Sequence, residues 1–188
     1  VQALLKKAAA LDIATICPLH GPVLTKNLSH YLDLYNIWSS YSAESKGVLV
    51  AYTSVYGHTA KAAEILANKI TEKGVKAVLC DLARSDMAEA VEDAFRYDRL
   101  VLATTTYNGD IFPYMKEFIN HLTERNYKNR TVGFIENGSW APVATKVMKG
   151  MLEKSQNLTY TETNVKILSA LTSENEAELT ALADELTK

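Results

Sequence analysis

Five apolar runs punctuate the chain from residue 47 onward: VLVAY (48–52), VKAVLC (75–80), RLVLAT (99–104), TVGFIE (131–136) and NVKIL (164–168). None alternates strictly with polar residues, which is the pattern of strands buried on both faces of a parallel sheet. Between and after them lie stretches at helical spacing, near 59–73, 85–96, 111–125, 141–154 and 173–187. Several carry start signals. Ser85 precedes DMAEAVEDAF, Ser173 is followed three residues later by Glu176, and Ala141-Pro142 opens the fourth stretch. Strand–helix alternation repeated five times predicts a doubly wound α/β sheet.

The first 46 residues follow a different pattern. VQALLKKAAALD reads as a helix already under way, with neither an N-cap nor an initiator methionine before it, so the chain is expected to be part of something longer. A short strand-like run (Ile13, Ala14, Thr15, Ile16) leads into CPLHGPVL, where Pro18 and Pro22 stop any regular element. Residues 27–41 predict a helix capped by Asn27 or Ser29, with Leu28, Tyr31, Leu32, Tyr35 and Trp38 on one side. The polar stretch SAESKG reads as a linker. The expected division is therefore 1–46 and 47–188.

Composition narrows the partners. The 188 residues carry 20 Lys+Arg against 22 Asp+Glu, a formal charge of −2, so the basic excess of a nucleic-acid binder is missing. No apolar stretch reaches the length of a membrane span. Two cysteines, Cys17 and Cys80, fit a reducing compartment better than a disulfide framework, and a cytoplasmic location is expected.

In a doubly wound sheet the ligand lies beyond the carboxyl ends of the strands, at the switch in strand order. Three loops occupy that position. The first, Thr53-Ser54-Val55-Tyr56-Gly57-His58-Thr59, offers hydroxyls, a turn glycine and then a helix N-terminus, a ready anion site. It lacks the Gly-Lys-Ser/Thr of a Walker loop and is not GxGxxG. A monophosphate held in place suits it better than a phosphoryl group in transfer; by itself it equally suits a hydroxyl-rich helix cap. The second, with Thr105, Thr106, Tyr107, Asn108 and Gly109, sets a flat aromatic beside a turn; alone, it reads as a turn with a surface tyrosine. The third, Glu136-Asn137-Gly138-Ser139-Trp140-Ala141, puts a tryptophan where a core residue is not expected. Together the loops make a crevice with a phosphate end and an aromatic end. That suits a mononucleotide with a large flat base, flavin first.

TSVYGHTAKAAEILA, TTTYNGDIFPYMKEFINHL and GFIENGSWAPVATKVMKGML resemble flavodoxin-like domains, and more narrowly the C-terminal domain of flavodiiron proteins (A-type flavoproteins). The resemblance covers residues 47–188. It implies a three-layer α/β/α fold with a five-stranded parallel sheet in the order 2-1-3-4-5, and FMN in the three loops just named. Flavodoxins often have threonine where Tyr56 stands and asparagine where His58 stands. In that family a metallo-β-lactamase-like domain with two irons precedes the flavin domain. Its last ligand is a histidine in a short loop, which CPLHGPVL resembles. Residues 1–46 would then be the end of that domain and His20 a single ligand of an incomplete site, with no metal site in this chain alone. His30, His58 and His121 read as surface or cap residues.

The resemblance further implies electrons arriving from a rubredoxin or an NAD(P)H-linked reductase and leaving to a diiron centre that reduces O₂ or NO. The diiron site would belong to another protomer of a homo-oligomer. The chemistry is the cofactors', so no catalytic residue is expected in this chain. A stand-alone flavodoxin-type carrier or an FMN-dependent quinone reductase is the alternative, against which the His-Gly-Pro segment argues. A phospho-receiver domain shares the fold, but would need acidic residues where Tyr52-Thr53 and Thr104-Thr105 stand. A scaffold that has lost its flavin is the remaining reading.

Overall fold

Each of the five apolar runs becomes a strand of one sheet in the computed structural model, which describes residues 1–188. The strands are β1 (Ser45–Tyr52), β2 (Ala77–Asp81), β3 (Tyr97–Tyr107), β5 (Arg130–Asn137) and β6 (Leu158–Ile167), with the two-residue β4 (Asp110–Ile111) attached to β3. The parallel order is β2-β1-β3-β5-β6, which is 2-1-3-4-5 once β4 is set aside. Helices α3 (His58–Glu72), α4 (Met87–Arg96), α5 (Pro113–Glu124), α6 (Ala144–Met151) and α7 (Ser173–Glu185) cover its two faces.

The two-residue period of the strands divides the core. Leu49, Ala51, Leu100, Leu102, Val132 and Phe134 face one layer, packed with Ala90 and Ala94 of α4, Phe118 and Leu122 of α5, and Met148 of α6. Val48, Val50, Val101, Ala103, Ile135 and Val165 face the other, packed with Leu66 and Ile70 of α3 and Leu179 and Leu182 of α7. Strands buried on both faces need no polar alternation, which is why the runs read as continuous.

Several boundaries move. α6 begins at Ala144 with Val143 as its N-cap, three residues beyond the Ala141-Pro142 start signal. The cap of α4 is Asp86, whose carboxylate accepts from the Ala88 amide at 2.7 Å, one residue after Ser85. The capping box of α7 uses Thr172 and Asn175 in place of Ser173 and Glu176. β6 begins at Leu158, six residues before the apolar run, because its first half is a polar edge segment. There the register against β5 shifts between Val132 and Phe134. Glu185 of α7 pins the irregular stretch by accepting from the amides of Glu162 and Thr163, at 2.7 and 2.9 Å, and from the Thr163 hydroxyl.

Gly47 shows how tightly β1 meets β3. A Cβ there would lie 2.7 Å from Cδ1 of Tyr97, a ring only 2% exposed. Gly47→Ala is expected to lower stability by about 1–3 kcal/mol, as overpacked sites do. An unchanged thermal midpoint would show that the ring has room to move.

The chain divides between Glu44 and Ser45 into two compact units. The first, Val1–Glu44, holds α1 (Gln2–Ala8) and α2 (Leu28–Ser39), with no buried residue in either. The expected strand at 13–16 is reduced to one antiparallel bridge, Ile16 with Leu24, since the prolines between leave nothing further to pair. On α2, Leu28, Tyr31 and Leu32 are partly covered as expected. Tyr35 and Trp38 are half-exposed and meet edge to face at 5.7 Å. Asn27 is the N-cap residue of α2, in the left-handed region at φ 53°, and its side chain makes no capping bond.

Candidate functional site: a crevice at the carboxyl ends of the strands

The loops after β1, β3, β5 and β6 surround a cavity of about 430 Å³. Its walls are Ser54, Val55, Tyr56, His58 and Thr59 from the first loop, Thr105, Thr106 and Tyr107 from the second, and Asn137, Gly138 and Ser139 from the third. The volume lies within the range of small-molecule and cofactor sites.

The first loop ends in Gly57, the N-cap of α3, at φ 91°, a conformation open to glycine. Its amide donates to Ser54 Oγ at 3.1 Å, which closes the turn. No side chain caps α3 and its first turn holds no acidic residue, so the amide end of the helix dipole is left for a ligand. Thr59 is 2% exposed and lines the crevice. Below it, Thr53 is fully buried and its hydroxyl meets that of Thr104 at 2.6 Å, a polar pair under the loop.

The second loop continues β3 outward as a hairpin. Thr106 pairs with Ile111 and Tyr107 with Asp110, across a turn formed by Asn108 (φ 52°) and Gly109 (φ 72°). Two successive positive φ values are what a two-residue hairpin turn with the right twist requires, and Asn-Gly supplies them. Neither turn residue reaches the crevice wall. Tyr107 is 50% exposed and meets Phe112 edge to face at 5.3 Å. The Asp110 carboxylate is held below the usual range, first by its hydrogen bond from Lys116 Nζ at 2.5 Å and then by the Ile111 amide.

The third loop is anchored from beneath. Thr106 Oγ1 accepts from the Val143 amide at 3.0 Å, and Thr105 Oγ1 donates to the Asn137 carbonyl at 3.3 Å. A Cβ on Gly138 would sit 3.1 Å from Pro142, so the loop passes as close as glycine allows. Glu136 belongs to this loop in sequence, yet its carboxylate turns toward α6 and accepts from the Thr145 amide at 2.9 Å. Trp140, 85% exposed, and Ala141, in the left-handed region at φ 44°, follow Ser139 outside the wall. Of the eighteen residues proposed from sequence, the structure gathers eleven at the cavity surface. It sets Thr53, Gly57, Asn108, Gly109, Glu136, Trp140 and Ala141 in the same loops behind or beside it.

One wall residue carries no motif. Ser169, beyond β6, lines the cavity at φ 70° and is tied to Asn137. Nothing in ILSALTS marks it, because its position comes from a partner 32 residues away.

In the first unit His20 is exposed, in the loop closed by the Ile16–Leu24 bridge. No group of three or more His, Cys, Asp or Glu side chains is gathered where one ion could be held. Cys17 and Cys80 are both free thiols, and no helix is long and apolar enough to cross a membrane.

Comparison with known proteins agrees with this architecture. The chain is 24% identical over 146 residues to the nitric oxide reductase of Moorella thermoacetica, covering 78% of this chain and 36% of that protein. It is 27% identical over 149 residues to the type A flavoprotein of Rhodobacter capsulatus, covering 76% and 34%. The chain thus spans about a third of the length of these relatives. The rubredoxin oxygen:oxidoreductase structure from Desulfovibrio gigas superposes with a TM-score of 0.90 at 19% identity, over 99% of this chain and 47% of that one. The flavodoxin domain profile matches residues 49–166, more than half of the chain, and the chain belongs to the flavodoxin domain family.

Proposed function

We propose that Ser45–Lys188 binds FMN in this crevice and serves as the electron-transfer domain of a flavodiiron-type protein. The observation that carries the reading is the uncapped N-terminus of α3 opening into a 430 Å³ cavity whose rim presents exposed aromatic rings, Tyr56 at 90%, Tyr107 at 50% and, in the adjoining loop, Trp140 at 85%. Large exposed aromatics clustered at one cleft are costly unless something flat covers them.

The donor set fits the group. The amides at the start of α3, with Ser54 and Thr59, would hold the phosphate without a lysine. Tyr107 and Trp140 would flank the ring system, and the Thr105–Thr106 and Asn137–Ser139 segments would supply polar contacts to the part between. FMN, when bound, supplies one- and two-electron redox chemistry. The chain's contribution is to bind, orient and partly shield it from water.

In the longer protein, electrons would come from a rubredoxin or an NAD(P)H-linked reductase and pass to a diiron centre that reduces O₂ to water or NO to N₂O. Val1–Glu44 would be the end of the metallo-β-lactamase-like diiron domain, with His20 one ligand of a set completed by other residues, and the receiving centre would lie in another protomer. The names of the relatives, nitric oxide reductase and rubredoxin oxygen:oxidoreductase, support this direction of flow.

The direct test is the visible absorption spectrum of the purified chain, taken again after excess FMN and desalting. A two-band flavin spectrum that survives desalting is expected. A colourless chain that refuses FMN would remove the reading.

A further inference from the structure

The cavity has a fourth wall that neither the three loops nor their motifs account for. Ser169 lines it from the segment between β6 and α7. The residue is held in an unusual way. Asn137, 6% exposed at the end of β5, donates from Nδ2 to the Ser169 carbonyl and accepts from the Ser169 amide at Oδ1, both at 3.1 Å. One side-chain amide thus reads both backbone groups of a single residue, as a neighbouring strand would. The next links extend the anchorage: Gly138 N donates to the Ile167 carbonyl at 3.1 Å, and Leu168 and Ala170 form an antiparallel bridge.

The clamp opposes a local cost. Ser169 sits at φ 70°, in the left-handed region that non-glycine residues enter only when held there. Nothing in the core requires the segment to take this path, since Leu168, Ser169 and Ala170 are all exposed. The result is a hydroxyl-bearing residue set at the cavity surface. The segment leads from β6 into α7, which packs in the same layer as α3, and the α3 terminus opens into the same cavity.

We infer that Asn137 is a positioning residue whose side chain clamps Ser169 as a fourth wall, and that Ser169 is a ligand-binding residue for the polyol–phosphate half of the mononucleotide. This rests on the FMN reading above. The ligand class follows from the chemistry present. A lone hydroxyl on a cavity wall shared with the first loop can exchange hydrogen bonds with a sugar-alcohol chain or donate to a phosphate oxygen, and it offers no surface for the flat ring.

Two substitutions separate the roles. Ser169→Gly removes the hydroxyl and also relieves the positive φ, so the loop and the fold should be kept or slightly stabilised. Asn137→Ala removes the clamp and leaves the hydroxyl. Dissociation constants for FMN would be measured by flavin fluorescence titration for the parent chain, both variants and the double variant. Amide hydrogen exchange at Ser169 would be followed in the ligand-free protein.

Ser169→Gly should weaken FMN about five- to tenfold, the worth of one hydrogen bond to a charged or polyol group. Asn137→Ala should weaken it by no more than that and speed exchange of the Ser169 amide. In the Ser169→Gly background the further loss from Asn137→Ala should shrink, because both act through one contact. If the parent binds FMN and Ser169→Gly binds it equally well, the fourth wall is not a ligand contact. Full additivity would show that Asn137 acts by another route. A parent chain that binds no flavin would overturn the inference together with the reading beneath it, an outcome distinct from either of these.

Discussion

Replacing Arg130 with methionine is expected to cost about 3–5 kcal/mol and to lower the thermal midpoint by roughly 10 °C. Arg130, at the start of β5, is 3% exposed. Its Nε donates to the Tyr97 carbonyl at 2.8 Å, Nη2 to Phe95 at 2.5 Å, and Nη1 to Lys128 and Asn129, both at 3.1 Å. One guanidinium thus serves the chain where α4 passes into β3 and where the α5–β5 connection ends. Burial lowers its pKa, but the carbonyl cradle and the Tyr127 ring, 6.0 Å away, favour the cation.

Many buried ion pairs can be exchanged for apolar residues at little cost, since both charges leave together. Here the acceptors are backbone and stay behind. A methionine would fill the space and take away the donors to the Phe95 and Tyr97 carbonyls. Arg130→Lys should recover only part of the loss, because an ammonium cannot span four acceptors in a fork. Calorimetric midpoints for the two variants decide it. A shift under about 2 °C for the methionine variant would mean that water reaches those carbonyls. FMN affinity at a temperature where both proteins are folded should be untouched, since this end of the sheet is opposite the crevice.

The second large effect lies at that other end and has the opposite profile. Thr59→Asp should weaken FMN by about two to three orders of magnitude, because a carboxylate about 4 Å from a phosphate costs about 4 kcal/mol per charge pair at an effective dielectric near 20. Stability should fall by less than that, because a carboxylate at a site 2% exposed pays desolvation that the helix N-terminus, worth about 0.3–1 kcal/mol, offsets in part. Riboflavin, which lacks the phosphate, should lose only a few-fold. The milder Thr59→Val, which deletes a hydroxyl at nearly constant volume, should cost FMN about tenfold. Parallel titrations with FMN and riboflavin are the measurement. Equal losses for both ligands would move the phosphate away from α3.

What the chain discloses by itself follows the physics of each element. Strands buried on both faces leave long apolar runs, so all five were legible, and the order of the sheet came with the resemblance. The polar half of β6 was not: Thr159, Glu162 and Thr163 look like loop, and their extended backbone comes from pairing with β5 at Thr159 and from the Glu185 carboxylate of α7 at Glu162 and Thr163. β4 is two residues long, below any periodicity. In the crevice, the positions of the first loop and Tyr107 were legible because turn glycines and helix starts are local. Ser169 was not, since its place depends on Asn137. Glu136 stands among the candidates by its place in the third loop, but the side to which a residue at a strand's end turns depends on its neighbours. Here the unfilled first turn of α6 claims it.

The cavity is lined by residues from Ser54 to Ser169, gathered from loops beyond four different strands. No stretch shorter than residues 54–169 contains all of it, and neither β3 nor β5, which lie between β1 and β6 in the sheet, can leave without opening it. A molecule that fills it therefore binds the assembled fold and not the unfolded chain, and by mass action adds its binding free energy to the whole of Ser45–Lys188. Cofactor loading and folding are then two readings of one equilibrium, in which the empty domain is the state most exposed to unfolding.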